Sequence, residues 1–92
     1  MVRITVEYLT LLHEITGKRS ETVEMAPSSL GDLLGALDRR YGARWQSLIW
    51  TRQGERISPH IMVIVNGQLE RDLSAPLPDG STVAITPAVS GG

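Results

Sequence analysis

Ser29-Leu30-Gly31-Asp32-Leu33-Leu34-Gly35-Ala36-Leu37-Asp38-Arg39-Arg40-Tyr41-Gly42 is the stretch that decides how the rest of the chain must fold. Leu30, Leu33, Leu34, Leu37 and Tyr41 recur at helical spacing and form one apolar stripe. Ser29 stands where an N-cap belongs, with Asp32 three residues on in the capping-box position, and Pro27-Ser28 breaks whatever precedes it. Asp32 sits near the positive end of the helix dipole, Arg39 and Arg40 near the negative end, and Gly42 where a left-handed C-cap is expected. Gly31 and Gly35 lie inside and cost about 1 kcal/mol each against alanine; they read as positions where the helix approaches a sheet closely. A helix apolar on one side only needs another layer to cover that side.

The flanking sequence supplies strands for that layer. Val2-Arg3-Ile4-Thr5-Val6-Glu7-Tyr8 alternates with period two, which puts Val2, Ile4, Val6 and Tyr8 on one face. Leu9 to Thr16 loses the alternation and reads as a turn or short helical connector ending at Gly17. Glu21 to Met25 alternates again, with Val23 and Met25 inward, and reads as the hairpin partner of the first strand across a long loop. Beyond Gly42, Trp45, Leu48 and Ile49 keep helical spacing, so a short second helix is expected; Trp50 reads as core. Gln53-Gly54-Glu55 reads as a turn. Ile61-Met62-Val63-Ile64-Val65 is a continuous apolar run, the pattern of a central strand covered on both faces. Asn66-Gly67 signals a type I′ turn into a short segment through Leu69. Leu73 to Leu77 reads as irregular and Pro78-Asp79-Gly80 as a tight turn. Thr82 to Thr86 is the last strand, stopped by Pro87. The expected fold class is α+β, a mixed sheet packed on one main helix, with the first and last strands side by side at its centre.

Composition narrows what such a domain can do. Ninety-two residues make one small domain, and Leu, Ile and Val fill 25 positions while Phe is absent. That share clears the floor of about 20% below which a chain stays unfolded, so the core is aliphatic. Multidomain enzymes and large cofactor folds are excluded by size. Nine basic against ten acidic residues leave a net charge of −1, without the basic excess of a nucleic-acid binder. Arg39, Arg40 and Arg44 cluster, but at a helix end where cations suit the dipole. The absence of cysteine removes disulfides, thiolate metal sites and cysteine nucleophiles. No apolar run approaches the roughly 20 residues of a membrane span, and no signal-peptide pattern opens the chain, which reads as soluble and cytoplasmic. His13 with Glu14, and His60, are the only histidine candidates for acid–base work, and neither has a partner in sequence reach. There is no G-x-S-x-G elbow, phosphate loop or H-E-x-x-H pair. The side chains offer no catalytic residue and no metal site.

What remains is the end of the chain. Thr86-Pro87-Ala88-Val89-Ser90-Gly91-Gly92 is almost entirely small residues. Proline cannot continue a central ladder, so Pro87 is expected to peel the tail off the sheet. The chain then divides into a folded domain, 1–86, and a flexible tail, 87–92. Fully extended, those six residues span about 20 Å. Gly91-Gly92 would thread a slot too narrow for any Cβ and present a free carboxylate at its tip. Read alone, such an end is also an ordinary frayed terminus.

The stretch Leu77-Pro78-Asp79-Gly80-Ser81-Thr82-Val83-Ala84-Ile85-Thr86-Pro87-Ala88-Val89-Ser90-Gly91-Gly92 resembles the C-terminal signature of the MoaD/ThiS family of ubiquitin-like sulfur carriers, in which a "DGD-x-V" turn leads to a "PPV-x-GG" or "PAV-x-GG" end. Val65-Asn66-Gly67 resembles the family's "VNG" turn. Ser81 departs from the acidic residue common there, and Ala88 from the second proline of many molybdopterin carriers, which leans towards the CysO-like branch. The resemblance covers the whole chain and implies a β-grasp fold. It implies that an E1-like adenylyltransferase, using ATP and Mg, activates the Gly92 carboxylate while Gly91, Ser90 and Val89 thread its active site. Sulfur from a persulfide donor would then give a Gly92 thiocarboxylate, delivered to a sulfur-accepting synthase subunit for molybdopterin or cysteine biosynthesis. On this reading the chain is a carrier and not an enzyme, binds no cofactor itself, and meets neither nucleic acid nor membrane. The alternatives are a ubiquitin-like modifier joined to lysines through Gly92, and an interaction module with an idle tail.

Overall fold

The computed structural model describes residues 1–88, in the order β1 (Val2–Tyr8), α1 (Leu11–Thr16), β2 (Ser20–Met25), α2 (Leu30–Tyr41), α3 (Ala43–Ile49), β3 (Ile61–Val65), β4 (Gln68–Leu69) and β5 (Thr82–Pro87). The five strands form one sheet in the order β2-β1-β5-β3-β4. β1 pairs antiparallel with β2 and parallel with β5, and β3 runs antiparallel to both β5 and β4. The first and last strands are thus neighbours, and β5 is the central strand. Two hairpins joined through a helix, with terminal strands parallel at the middle, make the β-grasp architecture.

The apolar stripe of α2 meets the sheet as its spacing requires. Leu30, Leu33, Leu34 and Leu37 are buried, and they share one core with Ile4, Val6 and Tyr8 of β1, Val63 of β3, and Val83 and Ile85 of β5. The N-terminus is closed by a full capping box: Asp32 N–H donates to the Ser29 hydroxyl, and Ser29 N–H donates to the Asp32 carboxylate. The short second helix exists, and Trp45 and Ile49 are fully buried. The Asn66-Gly67 turn has positive φ at both residues, 50° and 86°, as type I′ demands.

Several expectations are corrected. β3 is covered on one face only: Ile61 and Val63 are buried, while Met62 and Ile64 point to the half-buried face opposite the helices. Its unbroken apolar run reflects an apolar outer face, because all the described helices contacting the core lie on the other side. Gly42 has positive φ, but its ψ of −157° is not left-handed helical. Its N–H still closes on Asp38 O at 2.9 Å, and the residue doubles as the N-cap of α3, so the chain turns sharply instead of unwinding. The helix glycines do not face the sheet. A Cβ at Gly31 would meet Leu73 O at 3.1 Å, so this glycine admits the 73–77 segment, whose Leu73 and Ala75 carbonyls accept from Gly31 and Leu30 N–H. At Gly35 only the Arg39 guanidinium comes near, at 3.8 Å. Trp50 is half-buried at the rim of the core, with Nε1 donating to both Asp38 carboxylate oxygens at 2.9 and 2.7 Å.

One inward position of β2 is polar. Glu21, paired with Val6, accepts hydrogen bonds from the Tyr8 and Tyr41 hydroxyls and ion-pairs with Arg40 and, at 3.5 Å, with Lys18. Its side chain is only 10% exposed, so the four donors compensate the cost of burying a carboxylate. The cluster ties β1, β2, the α1–β2 turn and the C-terminal turn of α2 together. No helix among the described residues is long and apolar enough to cross a membrane.

Candidate functional site

The expected site lies at the C-terminal end of β5, and the sheet determines how that end emerges. β1 pairs with β5 only as far as Tyr8–Ile85, after which Leu9 N–H donates to Ile85 O at 3.1 Å and β1 turns away into α1. β3 continues alongside for longer, pairing Met62 with Thr86 and Ile61 with Pro87. The strand therefore runs one residue past the Thr86 boundary read from sequence. The reason is the alternation of the antiparallel ladder. Ala88 N–H donates to His60 O at 2.7 Å, so residues 88 and 60 form a bonded pair and Pro87 opposite Ile61 a non-bonded one. The N–H that proline lacks would point towards β1, which has already ended there, so no ladder bond is lost.

Ala88 is the last described residue. The Gly92 carboxylate, and Gly91, Ser90 and Val89 as the threading residues, lie outside the described residues. Leu9, whose N–H bonds Ile85 O, and Leu11 at the β1–α1 corner are exposed. Half-buried Met62, Ile64, Ala84 and Thr86 line the sheet face opposite the helices.

The start of β5 is as firmly held as its end. Ser81, the departure from the family's acidic residue, is buried; its hydroxyl donates to Pro78 O at 2.7 Å and accepts from the Asn66 amide at 3.3 Å. Asn66 in turn takes the Thr82 N–H on its side-chain oxygen at 2.9 Å. The two turns singled out in the sequence, Asn66-Gly67 and Pro78-Asp79-Gly80, thus brace one another. A charged residue at position 81 would need its own partners there, and the neutral hydroxyl fits.

The histidines are not brought together. His13 lines a shallow cleft with Glu7, Tyr8, Thr10 and Arg19, and His60 lies on the β3 approach. Among the described residues neither imidazole hydrogen-bonds a carboxylate; what His60 contributes is its main-chain carbonyl to Ala88. No group of His, Cys, Asp and Glu suited to a metal is present among the described residues. Sequence reasoning missed Glu21, because a carboxylate at an inward position looks like an ordinary alternation error until its four donors converge. It also missed Arg71, which donates to the carbonyls of Ile57, Ser58 and Ile61 from residues 70–72, a stretch given no reading between the short segment ending at Leu69 and the irregular one starting at Leu73.

Comparison with known proteins agrees with this geometry. SAMP1 from Haloferax volcanii is 28% identical, with a TM-score of 0.83 over 98% of this chain and 99% of its own. A chain of the Amycolatopsis orientalis BexX/CysO complex is also 28% identical, with a TM-score of 0.73 over 97% and 99%. A putative molybdopterin converting factor subunit 1 from Pyrococcus furiosus shares the fold, with a TM-score of 0.79 over 97% and 100%, at 19% identity. No curated protein sequence matches the chain. The sequence model of the ThiS family matches residues 6–92, nearly the whole length. With the turn–strand–tail signature and the central β5 that carries it, the chain belongs to the ThiS family of ubiquitin-like sulfur carriers.

Proposed function

We propose that the protein carries sulfur as a thiocarboxylate on Gly92. The observation that carries the reading is the placement of β5: the central strand of the sheet holds the tail's root at Ala88 and leaves Val89-Ser90-Gly91-Gly92 to follow. A terminal carboxylate is ionised at neutral pH and is a poor electrophile. A partner E1-like adenylyltransferase, with ATP and Mg, joins it to the α-phosphate and releases pyrophosphate. A persulfide on a donor protein attacks the acyl carbon and AMP leaves; a thiol then cleaves the acyl disulfide, supplying two electrons, and the thiocarboxylate remains. A synthase subunit takes the sulfur onward, to a molybdopterin precursor or to an activated serine on the way to cysteine. The chain itself is the substrate and carrier in these steps, acting in the cytoplasm. The absence of cysteine supports this reading, since the sulfur site must then be the main-chain terminus.

Mass spectrometry of the protein incubated with an E1-like partner, ATP and a sulfur source tests it. Exchange of one terminal oxygen for sulfur is the expected result. The names of the Haloferax volcanii neighbours, small archaeal modifier proteins at 28% and 25% identity, favour a second reading in which Gly92 is joined to lysines of other proteins. Lysine conjugates without thiocarboxylate would establish that reading, and an unchanged mass would reduce the chain to an interaction module.

A further inference from the structure

Arg71 follows β4 and reaches back along the free edge of β3. Glu70 N–H donates to Val63 O at 2.8 Å, the last ladder bond on that edge. One step further along, Ile61 lies at a non-bonded position towards β5, so its carbonyl points outward with no strand to receive it. The Arg71 guanidinium takes that place: Nη1 donates to Ile61 O at 3.0 Å, and Nη2 donates to Ile57 O at 2.7 Å and Ser58 O at 3.2 Å. A planar fork can hold several carbonyls at once in a way that a lysine ammonium cannot.

The segment so held is the one that meets the tail. Between Ser58 and Ile61 the chain makes a tight turn closed by Ile61 N–H to Ser58 O at 3.0 Å and His60 N–H to the Ser58 hydroxyl at 3.1 Å. That turn presents His60 O to the Ala88 N–H, the last described hydrogen bond before the glycines. On the β1 side no strand pairing with β5 extends beyond Tyr8–Ile85, so the main-chain hydrogen bond that holds Ala88 among the described residues comes from the β3 side. We propose that Arg71 is a positioning residue for the C-terminal tail: its guanidinium fixes the 57–61 turn, and through the His60 carbonyl it aims the chain that ends in Gly92. The inference deepens the sulfur-carrier reading, since aim matters where a terminal carboxylate must enter an active site. A misplacement of about 1 Å at a reacting group can cost on the order of a hundredfold in rate.

Amide hydrogen exchange on the full-length protein tests the clamp without any partner. Arg71→Met keeps much of the apolar stem and removes all donors; Arg71→Lys keeps the charge but not the fork. In the methionine variant the Ala88 amide should exchange about tenfold faster than in the wild type, while Val63 and Ile85 change only as global stability changes. The lysine variant should recover at most part of the Ala88 protection. An unchanged Ala88, one that merely follows Ile85, or full rescue by lysine would each overturn the proposal. Pyrophosphate release with an E1-like partner supplies the second readout. The expected pattern in Arg71→Met is a loss in kcat with little change in KM, because the tail is misdirected and the rest of the surface is intact. A loss confined to KM would overturn the positioning role. If wild-type protein is not adenylated at all, the carrier reading fails, and the exchange data still decide the clamp.

Discussion

Among single residues, Glu21 carries the largest concentration of polar interactions. Burial pushes its carboxyl up, but the hydrogen bonds from Tyr41 and Tyr8 and the charges of Arg40 and Lys18 outweigh that and hold it below its ordinary value. Burial, and next the hydrogen bond to Glu21, raises the Tyr8 phenol, so Tyr8 remains a donor at neutral pH. The sign of the pH effect follows from the lowered folded value. The unfolded chain binds the proton first, so the Glu21 contribution is fully present above about 4.5, the ordinary value, and is lost as pH falls through the lower folded value. Glu21→Gln should cost about 1–3 kcal/mol at neutral pH, since an amide oxygen cannot serve both hydroxyls and Arg40. In denaturant unfolding the gap between wild type and variant should narrow below pH 4.5; a gap constant down to strongly acidic pH would show that the charge contributes nothing. The histidines make the opposite case. His60 acts through its main chain and His13 lies in an open cleft, so replacing both with Gln should leave thiocarboxylate formation unchanged in a coupled assay.

At the scale of elements, the two glycines of α2 should respond with opposite sign. Gly35→Ala places a methyl at ordinary contact distance from a flexible arginine and gains up to about 1 kcal/mol of helix propensity. Gly31→Ala drives its methyl against the Leu73 carbonyl, where the main chain must move, and should lower stability despite the same propensity gain. Thermal unfolding of the two variants in parallel checks this; equal stabilisation would mean that the 73–77 segment yields freely. Leu34→Ala should cost about 2–5 kcal/mol, because the leucine is wholly buried between helix and sheet and the space cannot fully collapse. A denaturant-derived loss under about 1 kcal/mol would place the stripe outside the core.

At the scale of the whole molecule, the fold carries the end of the chain on its central strand. Adding one alanine after Gly92 shifts the carboxylate and introduces a Cβ at the tip, so pyrophosphate release with an E1-like partner should fall on the order of a hundredfold. The melting temperature should stay where it is, since an added terminal residue makes no core contact. Unimpaired release from the extended protein would remove the functional role assigned to the Gly-Gly end.

Local spacing was enough to read α2 with its capping box, the inward face of β1, the type I′ turn at Asn66-Gly67 and the motif of the tail. Each of these rests on interactions within a few residues, where period, caps and φ preference act directly. The adjacency of β1 and β5 was also legible, because a small α+β sheet has few ways to bury two such strands. What only the tertiary structure decided are the properties that depend on which surfaces meet. Whether an apolar run such as Ile61 to Val65 is covered once or twice depends on the number of layers, which the run itself does not encode. Whether Gly31 or Gly35 marks a close approach depends on where the 73–77 segment crosses the helix. Pro87 could remain in the ladder only because β1 ends two residues earlier. Glu21 and Arg71 acquired their roles mainly from distant partners, Tyr8, Arg40 and Tyr41 at 13 to 20 positions for the first and Ile57, Ser58 and Ile61 at 10 to 14 for the second, a convergence of charges and carbonyls that exists only once the strands are side by side.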